Sequence, residues 1–126
     1  MNLDDYQKQV HDWCREAFGE YAASDQTERQ HRFLEEALEL AQSLGTSREE
    51  ALVLLDYVYG RPVGEPSQEV GGVMVTLAAL CHPIEISIDE SMTRELNRIN
   101  QPEIIEKIRK KQAAKPDNSP LPGPTE

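Results

Sequence analysis

Between Leu3 and Phe18 apolar residues recur at three- and four-residue steps (Leu3, Tyr6, Val10, Trp13, Cys14, Ala17, Phe18) and Gly19 interrupts them, which predicts a first helix over 3–18. Ser24 and Asp25 suit a helix N-cap, with Glu28 at capping-box spacing from Asp25, so a second helix is predicted from there to Gly45. Its apolar residues Phe33, Leu34, Ala37, Leu38, Leu40, Ala41 and Leu44 fill one arc, and Glu28, Arg32, Glu35, Glu36, Glu39 and Gln42 fill the opposite one. The acids share a face.

Thr46 and Glu49 have the spacing of a second capping box, opening a third helix through Leu52, Leu55 and Val58 that Gly60 and Pro62 end. After a loop with Gly64 and Pro66, the run from Ser67 to Cys81 is apolar on nearly all sides, and its β-branched residues leave strand as an option. Helix is preferred, because Gly71 with Ala78 and Gly72 with Ala79 lie two turns apart and such rows let a neighbouring helix approach. An all-round apolar helix is expected to be central and buried. Ser87 and Glu90 form a third capping box before Met92, Leu96 and Ile99, and Pro102 suits the first turn of a last helix with Ile104, Ile105 and Ile108. The expectation is an all-α protein, a compact bundle of five or six helices over residues 1–115. Residues 116–126 hold four of the eight prolines and are predicted to be a disordered tail.

A chain of 126 residues has room for one domain, and with 6% aromatics its core must come from aliphatic side chains. Charge is unevenly spread. Residues 1–106 carry 8 Lys and Arg against 21 Asp and Glu, whereas residues 107–126 carry 5 against 2. An acidic body argues against a DNA or RNA polymer as partner, since that binding draws on neutralisation of phosphates by cations. Cys14 and Cys81 have no metal-type spacing with each other or with His11, His31 and His82, and are read as reduced, half-buried thiols. The first ten residues include Asp4, Asp5 and Lys8 and no apolar run, and no stretch has the ~20 apolar residues of a membrane span. A cytoplasmic protein without a membrane partner is expected.

The chemistry-bearing pattern is Glu35-Glu36-Ala37-Leu38-Glu39. Four- and three-residue spacings put the three carboxylates on one side of the helix, where like charges destabilise it by a few tenths of a kcal/mol per pair. A hard divalent cation would offset that repulsion and keep positions open for phosphate oxygens. A solvated acidic face, with Arg32 in its midst, is the plainer reading of the same residues. Glu69 opens an otherwise apolar helix, either as a metal ligand or as a first-turn acid at the positive end of the helix dipole.

In layout the chain resembles the all-α nucleotide pyrophosphohydrolases of the MazG-like superfamily, marked by Glu-Glu-x-x-Glu on one helix and Glu-x-x-Asp on a later one. The first motif stands as Glu35, Glu36 and Glu39; the second reads Glu69-Val70-Gly71-Gly72, with Gly72 where the family has Asp. Thr76, one turn on, or Asp56 on the third helix are candidates to replace the missing oxygen. The resemblance spans about Val10 to Pro116, and the run after Glu69 looks like that of small bacterial and phage members. It implies that Glu35, Glu36, Glu39 and Glu69 bind Mg²⁺ (or Mn²⁺). It implies cleavage of a nucleoside triphosphate to the monophosphate and pyrophosphate, with Glu36 accepting a proton from the attacking water. It also implies a homodimer or homotetramer, and a role in clearing surplus or non-standard nucleotides.

Phosphate contacts are expected from the basic stretch Lys107, Arg109, Lys110, Lys111 and Lys115, whose residues equally suit the C-terminal end of a helix. Base contacts are expected from Trp13, His31 and Arg32, with Trp13 also suited to anchoring the core. Two other functions fit the same residues: a relative that binds nucleotide or metal without catalysis, and an acidic helical interaction module.

Overall fold

The computed structural model describes residues 2–116 and 119–122. Among these residues all regular structure is helical, in seven helices. They are α1 (Leu3–Phe18), α2 (Glu20–Ser24), α3 (Gln26–Ser43), α4 (Arg48–Tyr59), α5 (Pro66–Cys81), α6 (Ile88–Ile99) and α7 (Pro102–Ala113). No helix among them is long and apolar enough to cross a membrane. The count exceeds the expected five or six because of α2, a single five-residue helix between Gly19 and Asp25. It is too short to show an apolar period.

The chain divides into two units, one of residues 1–39 and 95–126 and one of residues 40–94. In the first, α1 begins at an Asn2 side chain that accepts the Asp5 N–H at 2.9 Å, and ends at Gly19, whose φ of 88° lies in the left-handed region. α1 packs against α2 and α7. The unit's apolar core is small and consists of Cys14, Ala17, Ala23, Leu96 and Ile105. Trp13 is half-buried beside it and its indole N–H donates to the Ile99 carbonyl at 3.0 Å. On α7, Arg109 donates from Nε and Nη2 to the Glu16 carbonyl at 3.1 and 3.0 Å, capping the last turn of α1.

The residues of α3 in this unit present the reverse of the usual amphipathic arrangement. Phe33, Leu34 and Leu38 are about half exposed, whereas Glu28 is only 5% exposed and the Arg32 side chain is largely covered. The cause lies in charge pairing. Glu28 Oε2 sits 2.8 Å from the Lys115 ammonium, and its Oε1 sits 3.5 Å from Arg32 and 3.7 Å from Arg29. Glu28 therefore does not form the expected capping box; the Asp25 N–H donates instead to the Ala22 carbonyl, closing α2.

In the second unit, α3 ends in a Schellman motif. Gly45, at φ 95°, donates its N–H to the Gln42 carbonyl, and the Thr46 N–H donates to that of Ala41. Thr46 is thereby used in stopping α3, and the capping box that opens α4 belongs to Ser47 and Glu50, one residue later than the spacing predicted. Glu65 accepts the Ser67 and Gln68 N–H groups at 3.1 and 2.8 Å, and Pro66 fills the first position, so 66–81 is helix and not strand. At Ser87 one half of the expected box forms, with the Glu90 N–H donating to the hydroxyl.

The prediction that this apolar helix is buried does not hold within the chain. Of the α5 residues only Cys81 is buried, and α4 buries none. Val53 is 69% exposed, Tyr59 82% and Val75 70%. Among the described residues, nothing beyond its own helix backbone and chain neighbours lies within 4 Å of a methyl group placed on Gly71 or Gly72, so none of their helices packs against the small-residue row. Both cysteines are free, and they are buried rather than half-buried.

The expectation of a disordered segment from Pro116 onward falls partly on residues 117–118 and 123–126, which lie outside the described residues.

Candidate functional site

The first unit contains a cavity of about 530 Å³, within the range of small-molecule sites. One wall is aromatic. Trp13 and Phe18 meet edge to face with ring centroids 5.6 Å apart, and the Arg29 guanidinium stacks on Phe18 at 4.4 Å. Helix α3 places Glu28, Arg29, Arg32, Glu35 and Glu36 on a second wall, since steps of three and four residues repeat one face. α6 adds Glu95, Arg98 and Ile99, α7 adds Ile108, Lys111 and Gln112, and Lys115 follows two residues after α7 ends. Five cations and four carboxylates therefore line a hollow in an otherwise acidic chain.

These charges are unequally satisfied. Glu95 is held by Arg98 through two hydrogen bonds of 2.9 and 2.7 Å, which lower its carboxyl below the ordinary range. Glu35 lies 3.3 Å from Arg32. Glu36 is pushed the other way: partial burial and the repulsion of Glu39, Glu35 and Glu95 raise its carboxyl, with only Arg98 opposing. On the cationic side, buried Arg29 Nε and Nη2 and Arg32 Nε and Nη1 have no hydrogen-bond partner among the described residues. Buried donors of this kind are expensive to leave unmatched, at about 1–3 kcal/mol each. The Cys14 sulfur accepts from Arg29 Nη1 at 3.9 Å; burial pushes its thiol up, against the opposing charge of Arg29.

Of the residues named from sequence, the cavity gathers Trp13, Arg32, Glu35, Glu36, Lys111 and Lys115. Glu39 is exposed on α3 and reaches the site through its repulsion of Glu36. His31 is half-buried and is not part of the cavity wall. Lys107 and Lys110 are exposed outside it, and Arg109 is committed to the end of α1. Glu69 belongs to the second unit, where its carboxyl carbon lies 3.1 Å from the place a Gly64 methyl group would take. Among the described residues no group of three or more His, Cys, Asp or Glu is disposed to hold a metal ion. The two candidates for the missing oxygen also lie in the second unit: Thr76, whose hydroxyl donates to the Gly72 and Val73 carbonyls of its own helix, and exposed Asp56.

The sequence reading missed Arg29, Arg98 and Glu28. Arg29 had a local signal, since it lies three residues before Arg32 on the same helix and the two project together. Arg98 had none, because only the fold brings α6 to this wall.

Comparison with family models, curated proteins and solved structures finds no match for this chain.

Proposed function

We propose that the protein is a metal-dependent nucleoside triphosphate pyrophosphohydrolase of the MazG-like kind, acting in the cytoplasm on surplus or non-standard nucleotides. The observation that carries this reading is the shared cavity. One hollow has an aromatic wall for a base, guanidinium groups with donors that make no hydrogen bond among the described residues, and a carboxyl that holds its proton more tightly than usual. A carboxyl raised toward neutrality is a better proton acceptor at the working pH.

Carboxylate oxygens are the donors that a hard divalent cation takes. Glu35, Glu36 and Glu39 offer only carboxylate oxygens, and the mutual repulsion that raises Glu36 is what a cation relieves. Mg²⁺ (or Mn²⁺), which these three would hold, would supply charge to oppose the triphosphate. The chain's own residues do the rest. Glu36 accepts a proton from the water that attacks the α-phosphorus; the new phosphorus–oxygen bond forms as the bond to the bridging oxygen breaks, and pyrophosphate leaves. Arg29, Arg32 and Lys111 attract and orient the phosphates, and Trp13 stacks the base.

Pyrophosphate release from a panel of nucleoside triphosphates, with Mg²⁺ and with chelator, tests the reading. Release that depends on metal is expected; none with any substrate would overturn the enzyme. A second reading, binding without hydrolysis, is favoured by Gly72. No described atom outside its own helix backbone and chain neighbours lies within 4 Å of a Cβ placed on Gly72, so Gly72→Asp meets no steric clash within the chain, and a gain in rate would mark the glycine as a real loss.

Self-association forms part of the proposal. The apolar faces of α4 and α5, and of α3 at Phe33, Leu34 and Leu38, resemble half of a core. A second copy of the chain is the occupant that a twofold axis supplies with a matching face, and obligate homodimer interfaces have this character. Sedimentation is expected to give a dimer or tetramer at micromolar concentration, and a monomer would remove this element.

A further inference from the structure

Two residues late in the chain reach the cavity and its wall. The Arg32 guanidinium donates from Nη2 to the Pro120 carbonyl, and Pro122 forms part of the cavity lining. Ser119 shapes the segment locally, its hydroxyl accepting the Leu121 N–H at 3.2 Å while its own N–H donates to the Pro116 carbonyl at 3.3 Å.

We infer that residues 119–122 are a strap that closes the cavity by taking the Arg32 guanidinium, and that an anion such as pyrophosphate competes with the strap for it. The inference rests on the proposed use of the cavity for phosphates as regards the competing ligand; the strap itself rests on the contacts.

Three features favour a reversible contact over a fixed one. First, among the described residues Arg32 donates its hydrogen bond to a neutral carbonyl, with Glu28 and Glu35 standing 3.5 and 3.3 Å away as ion-pair partners only. A phosphate oxygen makes a charge-assisted bond to the same group, about twice as strong, and can be bidentate. Second, the segment gives up little apolar surface to its neighbours: Leu121 is 71% exposed, so the hold is mainly polar. Third, α7 is anchored independently of the strap. Lys115 is buried against Glu28 at 2.8 Å before the chain reaches Pro116. Release beyond that point leaves the ion pair in place. The composition also fits, because proline supplies a carbonyl acceptor and no N–H donor, which suits a wall rich in unmatched donors.

Trp13 reports on the event, since it is the only tryptophan and lines the same cavity. Pyrophosphate is titrated into the full chain and into a variant lacking residues 119–126, followed by Trp13 emission and by calorimetry. The deletion is expected to tighten binding about tenfold, the order expected for removing one competing hydrogen bond to a charged group. A synthetic peptide of residues 116–126, added in trans, is expected to bring the affinity back toward that of the full chain. Pro120→Gly with Pro122→Gly, which raises the entropy cost of holding the strap, should give an intermediate affinity and keeps the inference testable should the deletion fail to fold. Equal, measurable affinities for all forms would overturn the strap and leave the phosphate reading standing. Absence of pyrophosphate binding by every form would overturn both.

Discussion

Glu28→Gln is expected to lower the stability of the folded chain by about 3 kcal/mol, a fall of roughly 10 °C in melting temperature. Glu28 is the buried anion on which three cations converge: Lys115 at 2.8 Å, Arg32 at 3.5 Å and Arg29 at 3.7 Å. Glutamine keeps the shape and removes the charge, so three positive groups face each other with little water to screen them. Removing one member of a buried ion pair is costly for this reason, whereas the intact pair adds little net stability. Lys115→Met is expected to cost less, because two arginines still compensate Glu28. Urea denaturation of both variants checks the order; if Glu28→Gln unfolds at the same midpoint as the parent, the ion cluster does not hold α3 against α7.

Glu36→Gln should lower turnover at least ~100-fold, the smaller end of what a positioned proton acceptor contributes, and at the same time stabilise the fold slightly near neutral pH. The second effect follows from the raised carboxyl of Glu36, caused by partial burial and by Glu39, Glu35 and Glu95. The folded chain binds this proton more tightly than the unfolded chain does. Stability contributed by the protonated form is therefore present below the ordinary glutamate range and declines as pH rises through the raised value in the folded state. Glutamine cannot ionise, so the variant matches the parent at low pH and exceeds it by a few tenths of a kcal/mol above that window. Melting curves across pH in the presence of chelator, paired with pyrophosphate release under Mg²⁺, read both effects. Unchanged turnover in a folded variant would remove Glu36 from the reaction.

Local signals along the chain found most of the helices but not the direction in which they face. Gly19, Gly45, Pro66 and Pro102 mark ends and beginnings through backbone rules that need no tertiary information, and each marks a helix boundary in the structure. The Ser47 box was misplaced by one residue because Thr46 and Ser47 both carry the required hydroxyl, and the choice depends on how α3 stops. Orientation failed for a deeper reason. An apolar arc is read as a core face on the assumption that charges prefer water, and α3 breaks that assumption where Lys115, far along the chain, meets Glu28. The same distance hid part of the site. Trp13, Arg32, Glu35 and Glu36 were legible from residue type and helical spacing. Lys111 was one of five equivalent basic candidates, and only the packing of α7 on α1 separates it from Arg109, which caps a helix end instead.

An α4 that buries no residue of its own has a thermodynamic consequence. If its apolar side chains are covered only when two chains meet, unfolding and dissociation become one equilibrium, governed by mass action. No single melting point then belongs to this sequence; each value carries the protein concentration at which it was taken, and dilution acts in the same direction as heat.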